Sequence, residues 1–385
     1  MSVTQQTRLT LWTRSAGRCQ FDGCNRPLLG DLLTGKDELN DGYVAHIVAD
    51  SPGGPRGHTV LSAQLSDDVA NLMLLCNVHH RLIDAQKTRD EFPVERLLAM
   101  KAKHEKRIEL VTDIMPDRAS HVLLFGARIG EHDCPTRFDL AKIAMLPDRY
   151  PAERQAIALD IARSDFADHE PAYWTLQIET LRRQFARKVR ELVVDGDIRH
   201  LSIFALAPQP LLIELGRLLS DIAAVTVHQL HREPQGWDWR DARPPIEIAL
   251  QGSDQNGQDV GLILDLSATV TTERVHRVLG PQAPIWRVTT PKPGNDIMHR
   301  REDLAAFRRA MRQVFDVIKA RHGQDARIHI FPALPVSAAI EVGRTWMPKA
   351  DLPLVIYDEN RARGGFEPRL TIGQGRPGQK ELQDA

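Results

Sequence analysis

Two short-spaced pairs of metal-type side chains, set far apart along the chain, constrain the fold more than any other feature. Cys19 and Cys24 lie in RCQFDGCNRP, and Cys76 and His79 lie in LCNVHHRLID. Zinc favours four sulfur or nitrogen donors at tetrahedral angles, supplied as pairs that bridge distant segments. A Cys3His set of this kind closes the intervening chain onto one ion. Cysteines clustered beside histidines point to a metal more than to disulfides; the remaining cysteine, Cys134, stands alone further on. Residues 1 to about 90 are rich in Gly, Asp, Asn and His, with only short apolar runs. Metal ligation explains how so thin a module stays folded.

A helix is expected after Pro93, which suits a first turn. Val94, Leu97, Leu98, Lys101, His104, Ile108 and Val111 recur there at helical spacing. Arg96, Lys103, Lys106 and Arg107 occupy its other positions, either as a solvated face or as a DNA-backbone contact. The polar, proline-containing stretch that follows marks a linker at 116–120. Beyond it the texture changes. Short apolar runs at 121–129, 201–208, 246–252, 260–268, 328–335 and 352–359 read as central strands. Helical patterns at 168–194, 209–222, 302–322 and 336–347 alternate with them, which argues for α/β layers with largely parallel sheets. LSIFALAPQPLLIELGRLLSD (201–221) and IHIFPALPVSAAIEVGRTWMP (328–348) echo each other. Each is a strand, a proline turn and a helix carrying Glu-(Leu/Val)-Gly-Arg, as expected of a duplicated Rossmann-like half.

At 385 residues the chain exceeds one core, so the expected division is 1–115, the linker, a larger domain at 121–375 and a loose tail at 376–385. A formal net charge of −1 means that any DNA contact rests on a local patch. No run of about 18 apolar residues and no signal-peptide pattern is present, so a soluble, cytoplasmic protein without a membrane partner is expected.

Between the ligand pairs lie AHIVADSPGGPRG, with His46 at a strand end, and DDVANLMLLC, in which Asn71 opens an apolar run back to Cys76. With His80 further on, these residues follow the order of the HNH endonuclease motif, a resemblance that implies phosphodiester hydrolysis, which needs a deprotonated water, charge stabilisation on phosphate and help for the leaving oxygen. A neutral imidazole titrates near working pH, which makes His46 the expected general base. His80 is the expected ligand of a catalytic divalent metal, Mg2+ or similar, acting as Lewis acid. Arg56 and His58 are either phosphate contacts or ordinary loop residues. The order His46, Asn71, His80 inside a cysteine-braced scaffold, closed by HHRLID, resembles the HNH endonuclease motif over residues 15 to about 85. That resemblance implies a small zinc-braced ββα-metal module, with Cys19, Cys24, Cys76 and His79 on structural Zn2+ and His46, Asn71 and His80 catalytic. It also implies that Asn71 orients His46 or helps ligate the metal. Many members carry an acidic residue before the first histidine; here it is Ala45, so Asp50, Asn71, Asp84 or water completes the shell.

The larger domain has no GxxxxGK[ST] loop, and Gly126-Ala-Arg-Ile-Gly130 is too loose for a dinucleotide fingerprint. It reads as a binder. In open α/β sheets ligands settle beyond the carboxyl ends of strands, near helix N-termini. The loops so placed hold Arg128, Gln209, Thr269, Pro335 and Ser337. His231, Arg232 and Arg128 are candidates to pair with phosphate. Trp237 and Trp239 either clamp a nucleobase, at about 1–3 kcal/mol each, or pack on the sheet edge. The echo, with QLHREPQGWDW and LPVSAAIEVGRTWMP, resembles the SAVED domain, which implies two fused Rossmann-like (CARF-like) units binding a cyclic oligonucleotide. The whole architecture resembles the HNH–SAVED effector nucleases of bacterial CBASS antiphage defence. It implies activation by a cyclic di- or trinucleotide, homo-oligomerisation and degradation of double-stranded DNA with little sequence preference. The rival reading is a ligand-responsive, zinc-containing DNA-binding regulator without cleavage.

Overall fold

A computed structural model describes residues 3–31, 36–130, 136–160, 166, 168–220, 222, 224–360 and 364–373. Cys134 and the tail at 376–385 lie outside the described residues. The chain divides into two compact units, Met1–Pro116 and Asp117–Ala385.

In the first unit, α1 (Gln5–Arg14) starts where the Thr4 hydroxyl accepts from the Thr7 amide, satisfying a free helix-end donor. β1 (Leu29–Asp31) and β2 (Lys36–Asn40) pair antiparallel. β3 (Gly42–His46) is followed by α2 (Leu61–Gln64), a single turn, and then by β4 (Leu72–Cys76). β3 and β4 pair antiparallel, with His46 opposite Leu72 and Gly42 opposite Cys76. β4 reads LMLLC and is buried along its whole length. α3 (Asn77–Asp84) continues directly from it and packs against both strands. α4 (Val94–Thr112) begins after Pro93, which at that position has no helical N–H to lose. Its Leu97 and Met100 join Leu11, Ile47, Ile83 and the β4 side chains in one small core. The same face buries Lys101 beside Glu105, and His104, whose Nε2 donates to the Ser15 carbonyl at 3.0 Å. Of the cationic positions on α4, Arg96 donates to the Glu91 carbonyl, Lys103 pairs with Asp22 and Arg107 donates to Asn25.

The expected linker at 116–120 is a 3-10 turn, Pro116–Arg118, running straight into β5 (Ala119–Gly126). Ser120 is fully buried there and bonds His200 Nδ1 at 2.7 Å and Ser202 at 2.8 Å, so the last two residues of the expected linker belong to the strand, while 116–118 are exposed and hold the division between the two units. Next come α5 (Phe138–Ala144), β6 (Tyr150–Pro151), β7 (Ile157–Asp160) and α6 (Pro171–Phe185). A π-helical turn, Ala186–Arg190, joins α6 to α7 (Glu191–Val194), so the helix expected over 168–194 starts later and carries a bulge. β8 (Leu201–Leu206), α8 (Gln209–Leu218) and β9 (Val225–Val227) complete a five-stranded sheet in which every pairing is parallel. A small hairpin, β10 (His231–Arg232) and β11 (Gln235–Gly236), follows.

The second sheet is built from β12 (Ala249–Gln251), β13 (Asp259–Asp265), α9 (Thr272–Leu279), β14 (Ile285–Thr289), α10 (Arg301–His322), β15 (Arg327–Ala333), α11 (Val336–Thr345), β16 (Leu354–Asn360) and β17 (Gly365–Ile372). Its order is β12-β14-β13-β15-β16-β17. The centre is parallel, as expected of largely parallel sheets, and β12 and β17 close the two edges antiparallel. An edge strand needs no crossover helix when it turns back on its neighbour.

The sequence echo is a structural one. Pro208 and Pro335 each sit at the N-cap of the helix after the echoed strand. The two helices, α8 and α11, pack on each other through their repeated glycines. A Cβ on Gly216 would lie 1.9 Å from the Ile340 carbonyl oxygen, and one on Gly343 would lie 1.9 Å from that of Ile213. Beside each glycine a buried glutamate pairs with the arginine three residues on: Glu214 with Arg217 at 2.6 Å and Glu341 with Arg344 at 2.7 Å.

Candidate functional site

In the first unit the chain turns sharply between its two cysteines. The Cys24 amide donates to the Phe21 carbonyl, Gly23 has φ +82° and the Cys19 amide donates to the Arg26 carbonyl. Cys76 closes β4 and His79 lies on the first turn of α3. These two pieces meet: Cys19, Cys24, Cys76 and His79 offer donor atoms that all lie within 4.8 Å of one another. His79 Nδ1 is 3.2 Å from Cys76 Sγ and 3.6 Å from Cys19 Sγ. Phe21 stacks flat on the His79 ring, 4.0 Å between centroids, and fixes its plane. Sulfur ligands about 2.3 Å from one tetrahedral zinc would sit about 3.8 Å apart, so the set fits a single ion. Burial pushes the Cys19 thiol up to about 12, so its thiolate is disfavoured unless a cation lies beside it.

His46 ends β3. Its Nε2 is 2.9 Å from the Ser66 carbonyl oxygen, which can only accept, so Nε2 carries a proton and, in the neutral ring, the lone pair is on Nδ1. Asn71 is buried and spends its amide on the backbone: Oδ1 accepts from the Val48 amide, and Nδ2 donates to the Val48 and Leu65 carbonyls. Those bonds fasten the chain that leaves His46. They use both amide hydrogens and one lone pair of Oδ1, which makes Asn71 a brace for the backbone at Val48. His80 projects from α3 beneath the Tyr43 ring, 5.2 Å between centroids, with its Nε2 4.0 Å from Asp84 Oδ2. Ala45 is buried and Asp50 is exposed. Among the described residues no third histidine, cysteine or acid gathers with His80 and Asp84 as a ligand group.

Two residues left open by the sequence have defined duties. Arg56, at φ +55°, donates to the carbonyls of Ile47 and Ile83, each at 2.7 Å, and pairs with Asp84 at 2.7 Å. It ties the end of β3 to the end of α3 and is not a free phosphate contact. His58 Nδ1 accepts from the amides of Val60 and Leu61, at the start of α2. Nothing in the local sequence signalled either duty.

In the second unit a cavity of about 740 Å³ opens beyond the carboxyl ends of β5, β13, β15 and β16. Gly130, Asp168, Thr269, Arg274, Asp358 and Phe366 are among its walls. The N-terminus of α9 follows directly on the wall residue Val270, a placement that favours anions. Arg274 lies over the Phe366 ring at 4.5 Å and pairs with Glu359 at 2.7 Å. Asp168 accepts from the Gly130 amide at 2.6 Å. Burial, with the Asp168 carboxylate as a second cause, pushes the Asp358 carboxyl up to about 7.

Of the binding residues expected from the sequence, Thr269 lines this cavity. Arg128 is next to two of its wall residues, and its buried Nε has no hydrogen-bond partner among the described residues. The others are used elsewhere. Gln209 Nε2 donates to the Leu334 carbonyl at 2.8 Å, Pro335 caps α11, and the fully buried Ser337 hydroxyl donates to Gln229 at 2.7 Å. Trp237 is buried edge-on to Phe204, 5.3 Å between centroids, and is not offered to a base, while the half-buried Trp239 packs against the main core. His231 is buried, with Nδ1 3.1 Å from Asp296, and only Arg232 of that pair is exposed. The cavity's acids, Asp168 and Asp358, were missed because they come from separate segments and carry no local motif.

Residues 181–372 match the SAVED family, the SMODS-associated and fused to various effectors sensor domain. None of the curated proteins matches the chain. Among solved structures the chain is similar to the Acinetobacter baumannii Cap4 SAVED/CARF-domain containing receptor with the cyclic trinucleotide 2'3'3'-cAAA. The TM-score is 0.43 at 13% identity, over 73% of this chain and 56% of that one. Another structure of the Acinetobacter baumannii Cap4 receptor gives 0.41 at 12% identity, over 79% and 62%. The Moraxella osloensis Cap4 receptor gives 0.40 at 11% identity, over 82% and 70%. The chain thus spans little more than half the length of the first of these. Among the described residues no helix is long and apolar enough to cross a membrane.

Proposed function

We propose, with the SAVED match over residues 181–372 as the premise, that the protein is a ligand-gated DNA nuclease acting in antiphage defence. A cyclic di- or trinucleotide held by the second unit switches on phosphodiester hydrolysis in the first. The observation that carries the hydrolytic half is His46: its Nε2 is committed to the Ser66 carbonyl and its Nδ1 lone pair is left over, at the end of a ββα element braced by the Cys3His set.

In this reading His46 Nδ1 takes a proton from water and the hydroxide oxygen bonds to phosphorus as the P–O bond to the leaving sugar oxygen breaks, that oxygen taking a proton from solvent. A positioned base of this kind contributes about 10²–10⁴ in rate. Asn71 and Arg56 keep His46 in place through the backbone on either side of the β3 end. The three thiolates and His79 would hold a structural zinc. His80 and Asp84 would hold a divalent ion that supplies Lewis-acid stabilisation of the phosphate and leaving oxygen, with water completing its shell. In the second unit Arg274, Arg128 and the α9 N-terminus receive ligand phosphate, while Asp168 and Asp358 face base edges. One centre per chain severs both strands together only when chains pair, so ligand binding drives self-association; light scattering that finds a monomer with and without ligand removes this part.

The test is incubation of plasmid DNA with the protein, Mg2+ and a panel of cyclic di- and trinucleotides. Degradation is expected only when metal and one ligand are both present. His46→Ala lowers cutting at least about 100-fold and leaves ligand affinity, read by calorimetry, unchanged. DNA that is shifted on a gel but intact under every ligand overturns the nuclease reading in favour of a DNA-binding regulator.

A further inference from the structure

Outside the centres described above, one cluster in the second unit has the composition of a metal site. His231, on the β10–β11 hairpin, meets Asp296 and His299 from the loop after β14, and their donor atoms all lie within 4.8 Å of one another. His231 is buried and its ring lies parallel to that of His299, 5.3 Å between centroids. Nδ1 of His231 faces Asp296 Oδ1 at 3.1 Å. Its Nε2 is buried and has no hydrogen-bond partner among the described residues, and the same is true of His299 Nδ1. A buried polar nitrogen left unpaired costs about 1–3 kcal/mol. The His231 atom that faces the carboxylate is Nδ1, so it is the three-residue cluster as a whole, with His299 Nδ1 left unpaired, that demands an explanation.

We propose that His231, Asp296 and His299 bind a divalent transition-metal ion of the zinc class, as a second metal site distinct from the Cys3His set. Two imidazoles and a carboxylate are a nitrogen and oxygen set suited to zinc, and three protein donors leave one position for water. The guanidinium of Arg240 does not block the ion. It is anchored on the Glu233 and Pro234 carbonyls and touches only the far oxygen, Oδ2, of Asp296, at 3.4 Å. From there it orients the carboxylate in the manner of an outer-shell partner. Binding displaces a proton from whichever imidazole nitrogen or carboxyl group carries one, and no electron changes hands. The ion would tie the hairpin to the loop at 290–300. That loop donates from the Gly294 amide to the Leu266 carbonyl at 2.9 Å, two residues before the cavity wall at Ala268. The metal therefore braces one wall of the proposed ligand cavity, but its presence does not depend on what that cavity binds.

The experiment measures zinc in the purified full chain by mass spectrometry after desalting. The parental protein is expected to hold about two equivalents per chain; Cys76→Ser and the double variant His231→Ala/His299→Ala each fall to about one. Cobalt titration of the parental protein supplies a readout that needs no variant. The first site gives intense thiolate-to-cobalt absorption; the second gives only weak ligand-field bands that saturate with a further equivalent. A single equivalent in the parental protein, with cobalt uptake ending at the thiolate bands, overturns the proposal. So does a double variant that keeps both equivalents. Neither outcome touches the nuclease assignment, which is read on DNA.

Discussion

Asp358 sits in a cavity meant, on our proposal, for an anion, and burial beside Asp168 pushes its carboxyl up to about 7. Below that pH the acid is neutral and the cavity carries one negative charge fewer. Affinity for a cyclic oligonucleotide is therefore expected to rise as pH falls through 7, and Asp358→Asn to flatten the profile; calorimetry from pH 6 to 8 reads both. At the other centre Asn71→Ala removes three bonds to the backbone of Val48 and Leu65. A loss of about 1–3 kcal/mol is expected, seen as a lower urea midpoint, with DNA cutting falling alongside because the chain after His46 is released. Individual side chains were legible where chemistry restricts the residue type. Cysteine pairs and a histidine after a strand announce themselves, and Cys19, Cys24, Cys76 and His79 do converge. The duties of Arg56 and Ser337 were not legible, because a hydrogen bond to a distant carbonyl or amide leaves no trace in local sequence.

At the scale of elements, strands and helices with strong apolar patterning could be read directly, and the repeated Glu-(Leu/Val)-Gly-Arg marked the helix pair α8 and α11 before any contact was known. Gly343→Ala is expected to be severe, since its Cβ would fall 1.9 Å from a backbone oxygen that cannot swing away. Overpacking of this kind costs about 1–3 kcal/mol or more, which thermal unfolding of the second unit would register. β14 and β17 escaped the reading for opposite reasons. β14 carries Arg287, which pairs with the buried Asp265, inside a short run. β17 alternates buried and exposed positions around Pro368, as an edge strand can. Trp237 is the clearest case of an ambiguous aromatic resolved by packing. Trp237→Ala is expected to cost about 3–5 kcal/mol in unfolding free energy and to leave the number of bound ligands per chain unchanged.

Across the molecule, the two units are expected to fail under different stresses. The first leans on its Cys3His set: treatment with a strong chelator should abolish its unfolding transition while the second unit's remains. The second leans on neutral buried imidazoles. Burial depresses His200 to about 4 and His228 to about 3, and in the unfolded chain both titrate near 6.5. Below 6.5 the unfolded state takes up protons that the folded state refuses. The stability these groups contribute is thus complete above that pH and drains away as pH falls toward 4, at up to about 1.4 kcal/mol per pH unit for each group. Urea midpoints between pH 7 and 4 check the slope, and His200→Gln should reduce it.

The contact between Gly216 and Gly343 has a mechanical corollary. With carbonyl oxygens seated where side chains would stand, the seam between the echoed halves has no cushion of rotatable groups that could repack into a second arrangement. It behaves as a weld, not a bearing. Whatever message a bound molecule imparts must then travel through the surrounding loops, because the central spine has nothing with which to yield.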